Sequence, residues 1–126
     1  MFSITVDRTH TVLLVEFSDR LQPQDLVDLD RLVEPIAALE AIDKVVVDLR
    51  AVTAIDVPLE RLIERASAGP VLPGRKLMFV AASGVALGFG RQYAMHRERE
   101  GHDAIPIVPD LEAAWRMFGI AAPTFR

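Results

Sequence analysis

The order of hydrophobic runs predicts an α/β fold: a mostly parallel β-sheet opened by a β-hairpin, with about four helices packed against it. Three observations carry this prediction. Lys44–Leu49 and Lys76–Ala82 are short, nearly continuous apolar runs, the mark of strands covered on both faces. The segments around them repeat their apolar residues with the helical period of i, i+3, i+4, i+7. The chain also opens on two strand-like runs separated by turn residues. The resulting order is ββαβαβαβα, and alternation of strand and helix after the hairpin implies parallel pairing through helical crossovers.

Phe2, Ile4 and Val6 alternate with polar residues, Asp7-Arg8-Thr9-His10 supply turn chemistry, and Thr11 to Phe17 runs apolar and β-branched. A hairpin follows, its second strand the more buried. Asp19 to Pro23 reads as a loop, and Pro23 suits the first turn of a helix, where a missing N–H loses nothing. From Gln24 to Ala41, the residues Leu26, Leu29, Leu32, Val33, Ile36 and Leu39 mark one helix face. Pro35 inside that stretch predicts a kink or break, since a mid-helix proline costs about 3 kcal/mol. Beyond the Lys44–Leu49 strand, Asp56 is placed to cap a second helix, with Pro58 at its start and Leu59, Leu62, Ile63 and Ala66 facing inward. Gly69-Pro70 and Pro73-Gly74 bound a loop before the Lys76–Ala82 strand. A third helix is expected from about Val85 to Glu100, closed by Gly101. Ala104–Val108 reads as a last strand and Asp110–Phe118 as a last helix, with Asp110 near its cap.

With 126 residues the chain is one domain long. Although 51% of its residues are hydrophobic, no apolar run approaches the ~20 residues of a membrane span. Met1 leads straight into the alternating run, which predicts no signal peptide. Cysteine is absent, so disulfides and thiolate metal sites are excluded, and a cytoplasmic location is expected. A net charge of −4 argues against a nucleic-acid partner, which calls for a basic face. His10, His96 and His102 lack metal-ligand spacing, so no metal is expected, and no cofactor motif is present.

Several strings converge on one family. Val45-Val46-Val47-Asp48-Leu49, running on to Ile55-Asp56, is similar to a hydrophobic strand with Asp-Leu and a second Asp at the mouth of the following helix. Ile105 to Trp115 is similar to a strand-loop-helix in which a capping residue precedes Glu112-Ala113. With the opening hairpin and long first helix, these make the chain resemble the STAS domain superfamily, in its SpoIIAA-like branch. That is the fold of anti-sigma factor antagonists and of the cytosolic domain of sulfate transporters. The resemblance implies a binding or regulatory role. It also exposes a departure: where antagonists carry a phosphorylated serine turn, this chain has Val57, Pro58 and Leu59. No hydroxyl remains there to receive a phosphate.

Asp48 and Asp56 bracket a central strand end, where open α/β sheets bind ligands; the plainer reading is that Asp48 satisfies loop amides and Asp56 caps a helix. Ser83, Gly84, Gly88, Gly90 and Arg91 form a glycine-rich segment between a strand and a helix, where free N–H groups can receive an anion. Its spacing is neither Gly-x-Gly-x-x-Gly nor a P-loop, and Ser83 lacks a hydrolase elbow. Its bland reading is a loop that lets helix and sheet pack closely; its sharp one is a pocket for an anionic or lipid headgroup. Phe89, Tyr93 and His96 share a helix face, whereas Arg97 to Glu100 read as a solvated, mixed-charge face. Trp115 reads as core or a dimer contact.

The expected function is a non-catalytic module that binds a protein partner or itself, through the Asp56–Glu60 helix start and the Gly84–Arg91 segment. A second reading is a carrier or sensor of a small apolar or amphipathic, lipid-like ligand, in a cavity lined by the glycine-rich segment and the helices at Leu59–Ala66 and Phe89–Tyr93. A third is an enzyme using Ser83, His96 or Asp48.

Overall fold

The computed structural model describes residues 1–68 and 74–126. Apart from Gly74, the loop expected around Gly69-Pro70 and Pro73-Gly74 lies outside the described residues. The elements are β1 (Phe2–Asp7), β2 (Val12–Leu21), α1 (Pro23–Leu39), β3 (Lys44–Ile55), α2 (Leu59–Ser67), β4 (Lys76–Val80), α3 (Gly84–Arg99), β5 (Ile107–Val108) and α4 (Leu111–Phe118). The fold class is the expected one: a five-stranded sheet in the order β1-β2-β3-β4-β5, antiparallel only at β1–β2.

Alternation along the strands sorts the core into two layers. Leu13, Val15 and Phe17 of β2 and Val45, Val47 and Leu49 of β3 face α1, α2 and α3. Val12, Leu14, Val46, Met78 and Val80 face the other way, where Ala114 and Trp115 of α4 and the tail residues Ile120 and Phe125 cover them. The continuous apolar runs are thus buried on both sides, as their composition requires.

Several boundaries differ from the sequence expectation. β2 runs on through the expected loop to Leu21, because a bulge with Asp19 in the left-handed region (φ 61°) restores pairing with β3 as far as Leu21↔Ile55. β3 extends correspondingly to Ile55. Pro35 lies inside α1 without ending it. β5 is confined to Ile107–Val108 between Pro106 and Pro109, each without an N–H to extend the ladder. The glycine-rich segment from Gly84 to Arg91, given a loop reading, is helical and forms the first turns of α3.

The Asp7 turn ties three segments together. Its buried carboxylate accepts the His10 backbone N–H (3.0 Å) and the Thr124 N–H (2.9 Å), and lies 2.8 Å from His10 Nδ1. Val6 exchanges two backbone hydrogen bonds with Arg126, so the tail covers the outer edge of β1. Burial alone would push the Asp7 carboxyl up, but the hydrogen bonds from His10 and Thr124 outweigh it and bring its pKa down to about 2.

The folded pKa of Asp7 therefore lies below the unfolded value of about 3.9. The carboxylate's stabilisation is complete above about pH 4 and lost as pH falls through about 2. Asp7→Asn is expected to cost about 1–3 kcal/mol in urea melts at neutral pH, with the gap to wild type narrowing below about pH 4. A gap that stays constant down to about pH 3 would remove Asp7 from this role. Gly88 is exposed inside α3, and a methyl group added to its Cα would meet nothing within 4 Å. Gly88→Ala should accordingly raise stability by about 0.4–1 kcal/mol, and a loss in the same melts would show a crowding the structure does not contain.

Candidate functional site

The residues singled out from the sequence do not gather at one place. Asp48 points to the α4 face, where its carboxylate accepts from Arg50 Nε (3.0 Å), Nη2 (2.8 Å) and backbone N–H (3.0 Å). That hydrogen bonding holds the Arg50 guanidinium pKa above its ordinary value. Asp56 lies beyond the far end of β3, roughly 25 Å along an extended chain. Its expected capping role is not realised: Pro58 stands at the cap position of α2, and Asp56 pairs instead with Arg20. Ser83 makes no side-chain cap to α3. Arg91 is exposed. Gly90 is buried against Leu49, Phe79 and Ile107, which permits the close helix–sheet approach of the plainer reading.

Val57 and Gly88 do meet. With Ile55, Leu59, Leu62, Val85, Phe89 and Gln92 they line a shallow apolar groove between the starts of α2 and α3. Leu59 and Val85 are about half exposed there, at 51% and 49%.

The more enclosed site lies beneath the helices. α3 rests closely on β3, whereas α1 approaches the sheet less closely, and α2 is only nine residues long. Between them the sheet forms the floor of a cavity of about 120 Å³. Val15, Phe17 and Leu21 of β2 and Val45, Val47 and Leu49 of β3 form that floor. Leu26, Leu29 and Val33 of α1 and Phe89 and Tyr93 of α3 form its walls. Tyr93 is wedged between Phe79 and Phe89, with ring centroids 5.8 and 6.1 Å away.

Charged groups ring this apolar space. Arg65 of α2 donates to both oxygens of Asp30 on α1, one at 2.7 Å. Burial lowers the Arg65 pKa, but the hydrogen bond to Asp30 and the neighbouring Tyr93 leave it raised overall. Arg75 donates to the Ile42 carbonyl (2.8 Å) and reaches Glu34. Lys76 is exposed at the rim. Arg97 differs from the other two arginines: it is only 8% exposed, and its Nε is buried without a hydrogen-bond partner among the described residues.

Of the segments the sequence reading expects around a ligand cavity, Phe89 and Tyr93 line this one, whereas Leu59–Ala66 contributes only Arg65. The charge pattern places Arg97 on a solvated face, and the structure corrects that. The buried stripe of α3 is Ala86, Gly90, Tyr93 and Arg97, at spacings of four, three and four. Continuing that stripe past Tyr93 is the signal that finds it. Asp30, Arg65 and Arg75 carry none, because partners on separate elements are not visible in a linear chain.

No protein-family model matches the chain, and no curated protein matches it either. Among the described residues no helix is long and apolar enough to cross a membrane, and no acidic or histidine cluster has the make-up of a metal site.

The Asp30–Arg65 pair latches α1 to α2 over the cavity. Removing one partner leaves the other charge partly desolvated, so Asp30→Asn should cost about 1–3 kcal/mol. Asp30→Asn combined with Arg65→Met should cost less than the two single changes summed. Strict additivity in denaturant melts would mean the pair contributes no coupling.

Proposed function

We propose that the protein is a non-catalytic binding domain that houses the apolar part of a small amphipathic molecule in the cavity between its sheet and helices α1 and α3. The cavity itself carries the reading. Lining atoms that face unfilled apolar space forgo dispersion contacts, and this space of about 120 Å³ is left unfilled by the chain's own side chains. An apolar guest of matching size restores those contacts. A site of comparable volume, about 150 Å³, is enough for a benzene-sized molecule.

The non-catalytic part of the proposal draws on where the reactive side chains lie. Asp48 faces α4 and is committed to Arg50, whereas His96 sits on α3, on the opposite side of the sheet. The resemblance to STAS-like domains points the same way, since Val57, Pro58 and Leu59 offer no hydroxyl for a phosphorylation switch. A second reading, a module that binds a protein partner or itself, draws on the exposed groove around Leu59 and Val85.

Native mass spectrometry of the purified protein, before and after unfolding, tests both. The expected result is an added small mass that disappears on denaturation. Val33→Leu, which pushes a larger side chain into the cavity from α1, should abolish that mass and raise stability by up to about 1 kcal/mol. A bare subunit mass in wild type overturns the ligand reading. Dimers that revert to monomers in Leu59→Glu would support the interaction module instead.

A further inference from the structure

Beside the cavity lies a groove of about 730 Å³, and Arg75, Lys76, Leu77 and Arg97 line both spaces. The two spaces differ in chemistry. The cavity's floor and walls are aliphatic and aromatic, with charged groups at its edge, whereas the groove adds His102 and Asp103 to the charged residues the two share. Arg97 stands at their junction, more than nine-tenths buried, with its Nε lacking a partner among the described residues. Its neighbour Arg75 is already engaged by the Ile42 carbonyl and Glu34. Lys76, on the first residue of β4, is exposed beside it.

A guanidinium on a side chain this buried is stabilised by an oxyanion above all other partners, since its N–H groups match carboxylate and phosphate oxygens in geometry and charge. We infer that the ligand is an anionic amphiphile: a short apolar chain or ring in the cavity, and a carboxylate or phosphate head at Arg97, facing the groove with Lys76 nearby. This inference rests on the cavity reading above and adds the chemical class of the head group. It also moves the anion site away from the glycine-rich start of α3 to the far end of that helix.

The test is calorimetric titration of the wild-type protein and Arg97→Met with hexanoate, hexyl phosphate and 1-hexanol, which share one chain and differ in the head. Wild type should bind at least one of the two anions ten-fold or more tighter than hexanol, and the tighter anion identifies the head group. Arg97→Met keeps the apolar stem, so it should bring the anions to the level at which the same variant binds hexanol. Its melting temperature, followed by circular dichroism, should be equal or higher, since a buried charge has been removed. Hexanol binding as tightly as both anions in wild type overturns the anionic head while leaving the cavity reading intact. An anion preference that survives in a folded Arg97→Met protein overturns the role of Arg97. Failure of all three compounds to bind overturns the cavity reading with it.

Discussion

The crossovers β2-α1-β3, β3-α2-β4 and β4-α3-β5 all step the same way across the sheet, and most of the architecture depends on that. Crossovers between parallel strands are overwhelmingly right-handed, so steps in one direction lay their helices on one face. The two core layers follow this arrangement: α1, α2 and α3 share one face, and α4 with the tail covers the other. The strand order never reverses. Doubly wound sheets open a ligand crevice where it does reverse, between helices on opposite faces. Among the described residues no such point exists, and Asp48 and Asp56 at the ends of one strand have no crevice to share. Three helices must instead tile one twisted face, and the middle one is short. The space left over lies inside the helix layer.

That location governs the electrostatics. Charges borne by α1 and α2 at the edge of the cavity are partly removed from water, so each needs a partner. Arg65 has Asp30, in a forked geometry that satisfies both carboxylate oxygens. Arg75 has a backbone carbonyl and Glu34. The polar cluster on the other face, around Asp48 and Arg50, is likewise closed on itself. The chain thus pairs its half-buried arginines as a rule. Against that rule, the buried Nε of Arg97 stands out.

The fold is legible in the sequence because period and topology are local properties. An opening hairpin, two apolar runs, a short last strand and four helical segments determine the element order ββαβαβαβα. The features that escape a linear reading are decided at long range. The bulge at Asp19 that carries β2 to Leu21 depends on pairing with β3, and Pro35 is tolerated by a helix held down through Leu29, Val33 and Ala37. Asp56 resembles a cap because its side chain suits that role, but Arg20 lies opposite it in space. The site is barely legible. Tyr93 is found through its helix face, yet the charges around Arg97, four residues on, assign that residue to solvent. Only a strict count along the stripe from Ala86 buries it.

Two independent costs coincide at one surface. An apolar cavity of about 120 Å³ forgoes packing contacts. A buried N–H left without a partner costs about 1–3 kcal/mol. Set against a typical total stability of about 5–15 kcal/mol, the latter is not negligible. Each has a simple remedy in sequence: a larger side chain at Val33, or an unbranched apolar one at position 97. Other departures are scattered, such as Thr5 Oγ1 without a partner among the described residues, Pro35 inside α1 and Asp19 in the left-handed region. Two departures that meet at a single place are where function is expected. Here the two are complementary: one is relieved by an apolar group, the other by an anion, and a single amphiphile supplies both.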